Sequence, residues 1–267
     1  MSLTRCFDAF DFDCSVCDTE RFNLFLRVLL RFWVFEKLHY IELLELTIMK
    51  RISSKSILLI ILFGTLSSCN NSKREADKKH YEAISEFSAA IKLDPDNPFN
   101  FYNRGVVYHN LEEYLSAISD YTSAIKLDTD FTSAYNNRGI VYNRLGNYDE
   151  AISDYTSAIR LNPNDANSYY HRGVAYYDLK NYDEAISDYN SSIRLAPNDA
   201  VAYYDRGVAY YNLKNYAEAI RDYSTAIKLN SDFASAYHNR GLAKENSGLS
   251  YCSDFKKACD LEHRKAC

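Results

Sequence analysis

Aromatic and apolar side chains in the second half of the chain recur at spacings that predict pairs of amphipathic helices. Side chains at i, i+4 and i+7 lie on one face of a helix. In one segment this spacing is held by Tyr169, Gly173 and Tyr176. In the next segment the apolar face is formed by Ala185, Ile186, Tyr189 and Ile193. A short polar stretch joins the two segments and a proline ends the second, so the pattern predicts a helix-turn-helix unit.

The helix-turn-helix unit returns with a fixed period of 34 residues. The first helix of each unit contains a glycine, and these are Gly105, Gly139, Gly173, Gly207 and Gly241. Four second helices share a tyrosine, and these are Tyr121, Tyr155, Tyr189 and Tyr223. Glycine inside a helix costs about 1 kcal/mol relative to alanine, so the glycine column predicts a close approach of the paired helix. Repetition at this period predicts an elongated array in which each unit contacts only its neighbours.

These columns resemble the signature of the tetratricopeptide repeat (TPR). In the unit that begins at residue 132, the matching residues are Gly139, Tyr142, Ala151, Tyr155, Ala158 and Pro163. The resemblance runs from about residue 79 to the C-terminus. It implies an all-α fold, a right-handed α-solenoid of stacked helix-turn-helix TPR units. We expect about five and a half repeats. They are a half repeat over 80–97 that supplies only a second helix, full repeats over 98–131, 132–165, 166–199 and 200–233, and a divergent C-terminal capping repeat over 234–267.

One column departs from the family in kind, because arginine stands where the family usually has leucine. The arginines are Arg104, Arg138, Arg172, Arg206 and Arg240. A matching aspartate column is Asp120, Asp154, Asp188 and Asp222. One residue of each type per repeat predicts a structural ladder of ion pairs along the solenoid, between stacked helices. The alternative is that each arginine is solvated, and exposed ion pairs then contribute only about 0–1 kcal/mol each.

The segment that ends at Cys69 has the features of a bacterial export signal. A basic stretch is followed by an apolar run too short to span a bilayer, which needs about 20 residues, and then by small residues. The four residues Leu-Ser-Ser-Cys that end at Cys69 resemble a lipobox, which implies cleavage before Cys69 and its acylation. We therefore predict an anchor in the lipid bilayer of the bacterial cell envelope. The alternatives are an ordinary signal with a chance cysteine, or a buried core helix. The predicted segments are a lipoprotein signal peptide over 49–68 and a polar tether over 69–79.

Residues 1–48 contain no repeat, and charges interrupt their apolar stretch. Because a lipoprotein signal belongs at the N-terminus, we expect translation to start at Met49 and residues 1–48 to be an upstream extension. If the signal is not processed, the protein would instead be an intracellular TPR adaptor. The lone C-x-x-C from Cys14 to Cys17 lacks a second pair, so no metal and no cofactor are predicted.

Two cysteines at the C-terminal end are candidates for a disulfide. Cys259 and Cys267 could pair if the residues between them turn back, because an exported protein meets oxidising conditions. The alternative is that both are small buried residues of the capping helix.

In TPR proteins, set positions of the first helix line the concave face and supply the binding groove. Those positions hold Tyr102, Val106, His109, Asn136, Ile140, Asn143, Tyr170, Val174, Tyr177, Tyr204, Val208, Tyr211 and His238. Tyrosine gives a large rigid contact area with one polar handle, and asparagine can bond a peptide backbone. We therefore expect the partner to be a protein or a peptide segment. The alternative is that many of these tyrosines pack against neighbouring repeats.

Other functions find less support in the sequence. A net charge of −5 is not the basic footprint of a nucleic-acid-binding protein. The sequence lacks H-E-x-x-H, G-x-S-x-G and G-K-[ST] motifs, and a repeat-containing hydrolase would need a nucleophile beside a base, so we do not expect an enzyme. The carboxylate clamp of chaperone-binding TPR domains is missing. An envelope lipoprotein that binds glycans through its tyrosines is the alternative to a protein-interaction scaffold.

Overall fold

A computed structural model describes Glu75 and residues 78–265, with side chains described as far as residue 261. The chain divides into two compact units, Met1–Ser72 and Lys73–Cys267, and every described residue belongs to the second. The predicted upstream extension, the signal peptide, Cys69 and Cys267 lie outside the described residues.

The described part of the chain is entirely helical, with eleven helices and no strand between residues 78 and 265. Helix α1 covers residues 78–93. The others are α2 (Pro98–Asn110), α3 (Tyr114–Leu127), α4 (Thr132–Arg144), α5 (Tyr148–Leu161), α6 (Ala166–Asp178), α7 (Tyr182–Leu195), α8 (Ala200–Asn212), α9 (Tyr216–Leu229), α10 (Ala234–Asn246) and α11 (Cys252–Lys265). The even-numbered helices are the first helices of their repeats, and the odd-numbered ones are the second helices.

Each pair is closed by the same tight turn, in which one residue adopts a left-handed backbone conformation. Two of these residues are glycines, Gly146 (φ 77°) and Gly248 (φ 71°). The equivalent positions 34 residues apart hold Glu112, Lys180 and Lys214, with φ between 60° and 63°. A left-handed residue just past a helix closes the last turn with backbone hydrogen bonds. At Lys180 the neighbouring amide of Asn181 reaches back to the Tyr176 carbonyl at 2.9 Å.

Replacing Lys180 by glycine is expected to raise the free energy of unfolding by about 1 kcal/mol, because the side chain opposes the left-handed conformation. The reverse change, Gly146→Lys, should lower it by a similar amount. Urea denaturation of both variants tests the expectation. A loss of stability in Lys180→Gly would mean that the lysine side chain stabilises the turn.

The arrangement of the helices identifies the concave side of the repeat array. Between α2 and α11, each first helix packs on the second helix of its own repeat. Successive first helices also contact one another, whereas no backbone contact joins successive second helices in this range. The first helices are therefore more closely spaced, and the even-numbered helices α2 to α10 line the concave face.

The core of each repeat is built on the face that the sequence pattern predicts. In α7, Ala185, Ile186, Tyr189 and Ile193 are all buried. The predicted close approach at the glycine column is made mainly by an aromatic ring of the paired helix rather than by its backbone. A Cβ on Gly139 would lie 2.8 Å from Cε1 of Tyr155, the buried tyrosine of the paired helix. The space beside each glycine of this column is therefore filled by an aromatic ring, which is a tyrosine in four repeats and Phe255 in the last.

Candidate functional site

Each arginine of the predicted ladder forms a bidentate ion pair with the aspartate of its own repeat. In the third full repeat, Arg172 Nε and Nη2 donate to the two carboxylate oxygens of Asp188, both at 2.7 Å. The Asp188 side chain is only 6% exposed and that of Arg172 is 18% exposed. The hydrogen bond to Asp188 raises the pKa of Arg172 above its usual value. Equivalent pairs are Arg104 with Asp120, Arg138 with Asp154, and Arg206 with Asp222.

The connection between repeats is made by a third arginine hydrogen bond, since the ion pairs themselves lie within repeats. Nη1 of Arg172 donates to Oγ1 of Thr156 in α5, the second helix of the preceding repeat, at 3.0 Å. The same guanidinium lies 5.8 Å from the ring centroid of Tyr169 and 6.0 Å from that of Tyr176. Such distances are typical of cation–π contacts. The arginine and the aromatic residues near it therefore act as one unit that joins three helices.

The last repeat also contains this ion pair, although the sequence pattern did not reveal its aspartate. Arg240 donates to Asp254 at 3.0 and 2.6 Å, and Lys244 lies 2.8 Å from the same carboxylate. Burial opposes ionisation of Asp254, but the hydrogen bonds from Arg240 and Lys244 outweigh it and lower its pKa. Arg240 and Asp254 are 14 residues apart, against 16 in the other repeats. Because of this shorter spacing, Asp254 does not fall in the aspartate column that the 34-residue period defines. An alignment of the repeats with a two-residue gap in the last one would have identified it.

The groove tyrosines predicted from the sequence lie on the first helices, and each is half-buried. Tyr170 and Tyr177 pack against the buried cluster of Ala185, Ile186 and Tyr189. Tyr204 and Tyr211 pack in the same way against the next repeat's cluster, and Tyr102 does so in the first full repeat. Only part of each ring remains accessible on the concave face.

Hydrogen bonds between neighbouring first helices engage the polar ends of these side chains in two rows. The first row contains tyrosines at the fifth residue of their repeats. In this row Asn137 donates to the Tyr102 hydroxyl at 3.0 Å and Asn239 donates to the Tyr204 hydroxyl at 2.8 Å. The second row contains tyrosines at the twelfth residue of their repeats. In this row the side-chain amides of Asn212 and Asn246 donate to the hydroxyls of Tyr177 and Tyr211 at 3.0 and 3.1 Å. The partners are 35 residues apart in every case. These bonds hold the tyrosine rings in fixed orientations before any partner binds.

The two asparagines predicted for the groove are also already bonded within the protein. Asn136 donates to Asp165 at 2.9 Å and accepts from Ser168 at 2.8 Å. The amide of Asn143 lies 3.5 Å from Asp178. A peptide backbone that bonds these amides would have to share them with, or displace, the aspartates.

The aliphatic residues of the predicted groove contribute mainly to packing. Val106, Ile140, Val174 and Val208 are half-buried and lie against the core clusters of their own repeats. The two histidines differ, since His238 is exposed whereas His109 is half-buried. Burial, and then the positive charge of Arg144, lower the pKa of His109.

The junction between α6 and α8 differs from those between α2 and α4 and between α8 and α10, because a carboxylate bonds the tyrosine hydroxyl there. The Tyr170 hydroxyl donates to Asp205 Oδ2 at 2.7 Å, at the place where Tyr102 and Tyr204 accept from asparagine. Burial, with a smaller contribution from the charge of Asp199, raises the pKa of Asp205 to about 6, although the hydrogen bond from Tyr170 opposes the rise. Asp205 was not among the predicted groove residues, because its column changes from repeat to repeat: Asn103, Asn137, His171, Asp205 and Asn239.

Within the described residues, other types of site are not found. No cluster of three or more His, Cys, Asp or Glu side chains there could hold a metal ion. No helix of that part is long and apolar enough to cross a membrane. Cys259 is half-buried in α11, and its predicted pairing with Cys267 involves a residue outside the described part.

Comparison with protein families agrees with the repeat geometry. Tetratricopeptide-repeat models match residues 100–131, 136–200 and 200–233, and a TPR repeat model matches residues 78–112. These matches together cover more than half of the chain, and the protein belongs to the TPR family. The TPR fold is a protein-interaction scaffold and is typically non-catalytic. A search of curated protein sequences finds no match.

Solved structures with the same fold include two of MamA and one of YrrB. The two MamA structures are 27% and 29% identical, each with a TM-score of 0.59, and cover 63% and 61% of this chain and 93% and 96% of their own. YrrB, described as "a TPR protein with an unusual peptide-binding site", is 22% identical with a TM-score of 0.58. The match covers 66% of this chain and 91% of YrrB. The chain thus shares the TPR solenoid over its repeat region.

Proposed function

We propose that the protein is a membrane-anchored scaffold that binds a peptide or protein segment in the concave groove of its TPR solenoid. The observation that carries this proposal is the array of half-buried tyrosines on α2, α6 and α8, whose hydroxyls are hydrogen-bonded in the two rows. Tyrosines whose hydroxyls are already bonded lose little conformational freedom on binding, which favours their use as contact surface. The protein acts in this proposal by binding rather than by catalysis.

The proposed anchor is the acylated Cys69 of the lipobox-like sequence, which would place the solenoid at the bacterial cell envelope. Two or more acyl chains give stable attachment, whereas a single chain gives only reversible binding. Intact mass of the membrane-extracted protein tests this part. A mature chain that begins at acylated Cys69 supports the anchor, and a chain that retains the residues before Cys69 contradicts it.

The binding part is tested by placing a photoreactive phenylalanine analogue in the groove. The analogue replaces Tyr211 in one variant and the exposed Ser187 of α7, on the opposite side, in the control. After irradiation of cells, we expect a discrete adduct from the Tyr211 position that the Ser187 position does not give. Mass spectrometry of the adduct identifies the partner. Equal labelling from both positions, or adducts from Ser187 alone, would argue against the groove.

A further inference from the structure

We infer that the groove between α6 and α8 seats a positively charged side chain, lysine or arginine, of the bound segment, at a site formed by Tyr170, Asp199 and Asp205. This inference rests on the proposed function, since it names the chemistry of the segment that the groove binds. It follows from the differences between this junction and the two junctions with the same tyrosine.

The first difference is the residue that bonds the tyrosine hydroxyl. Tyr102 and Tyr204 each accept a hydrogen bond from a neutral asparagine, whereas Tyr170 donates one to the carboxylate of Asp205. An asparagine would preserve a hydrogen bond at this place without adding a charge. The hydrogen bond to Tyr170 therefore does not by itself require the negative charge of Asp205.

The second difference lies at the residue before each first helix. Phe131 and Phe233 occupy this position next to Tyr102 and Tyr204, with ring centroids 4.9 and 4.8 Å apart. Asp199 occupies the equivalent position next to Tyr170. Asp199 Oδ1 caps the start of α8 by accepting from the amide of Val201 at 2.9 Å. An apolar cover over the tyrosine is thus replaced by a second carboxylate.

Neither carboxylate has a cationic partner within the described part of the protein. No ion pair there involves Asp199 or Asp205, and the only Lys or Arg residues on α6 and α8 are Arg172 and Arg206. Both of these arginines are held by Asp188 and Asp222 of the ladder.

The groups that surround Asp205 are likewise neutral or acidic. Tyr170 and Tyr177 of α6 and Tyr189 of α7 interact electrostatically with Asp205. So do Tyr204 of the same helix and Asp199, the residue that precedes that helix. Burial and Asp199 raise the Asp205 pKa, which is the response of a carboxylate that lacks a counter-charge.

A cation from the partner would complete this site. It would neutralise two neighbouring carboxylates and could lie against the tyrosine rings, whose faces attract cations. Asp199, Asp205 and Tyr170 each keep part of their surface exposed.

The test compares labelled short peptides in which alanine alternates with lysine, glutamate or glutamine, using fluorescence anisotropy with the full chain. We expect the lysine peptide to bind most tightly and its affinity to fall with salt. Asp205→Asn should weaken its binding by at least about tenfold. This variant keeps an oxygen that can accept from Tyr170, so its thermal unfolding midpoint should not fall. The matched control, Asp183→Asn at the exposed start of α7, should change binding by less than about twofold.

The inference is overturned if the three peptides bind equally, if the glutamate or glutamine peptide binds best, or if Asp205→Asn and Asp183→Asn have the same effect. Failure to bind any of the three peptides also overturns it. In that case an adduct from the Tyr211 position would still support the groove as a binding site. Loss of that adduct would instead contradict the proposed function itself.

Discussion

Replacing Arg172 by leucine is expected to lower the free energy of unfolding by about 3–5 kcal/mol, the usual cost of leaving one member of a buried ion pair without its partner. Leucine is the residue that TPR units usually carry at this position, so the substitution is compatible with the helix. The loss comes from Asp188, which remains buried after both arginine hydrogen bonds are removed. Urea denaturation followed by circular dichroism measures the change.

Two further variants separate the ion pair from general effects of losing a positive charge. Arg160→Leu removes an exposed arginine of α5 and should change stability by no more than about 0.5 kcal/mol. The double variant Arg172→Leu with Asp188→Ala should recover much of the loss, because it removes the unpaired carboxylate. If Arg172→Leu is no less stable than Arg160→Leu, the arginines are effectively solvated and the ladder contributes little.

Thr156→Val tests the connection between repeats separately from the ion pair. It removes only the hydroxyl that accepts from Arg172 Nη1, and the expected loss is about 0.5–1.5 kcal/mol. Because repeat stability depends on neighbour interfaces, this loss should appear as weaker coupling between the second and third full repeats. Hydrogen exchange of α5 and α6 amides would show it as increased opening at that interface.

Much of the fold could be predicted because the two helices of every repeat pack against each other in the same way. The spacing of Tyr169, Gly173 and Tyr176 identifies the buried face of a helix. The 34-residue period then identifies the helix that packs against this face. The arginine and aspartate columns were visible because both recur with that period. The tyrosine that fills the space beside four of the five column glycines was visible as a column, but its contact with the glycine depends on how the two helices pack.

The groove was less predictable because its polar contacts join different repeats. A bond such as Tyr170 to Asp205 depends on how one first helix stacks on the next, which the period alone does not determine. Asp205 is the one aspartate in its column, so a search for repeated residues does not find it. A search for polar pairs 35 residues apart would have found the rows.

Replacing Tyr155 by alanine is the second change with a large expected effect, a loss of about 3–5 kcal/mol from removing a fully buried aromatic ring. Tyr155 is 1% exposed and packs with Ala151 of its own helix and Ala175 of the next repeat. A matched control is Tyr81→Ala in α1, where the ring is 57% exposed and the loss should stay near about 0.5 kcal/mol. Chemical denaturation of both variants provides the comparison.

The same variant provides the background in which to test why Gly139 is a glycine. In the native protein, Gly139→Ala places a Cβ within 2.8 Å of the Tyr155 ring, and overpacking of this kind costs about 1–3 kcal/mol. In the Tyr155→Ala background the ring is gone, and alanine is then favoured over glycine in a helix by about 0.5–1 kcal/mol. The effect of Gly139→Ala should therefore change sign between the two backgrounds. An equal loss in both would mean that the glycine is required by something other than the tyrosine, such as the backbone of the paired helix.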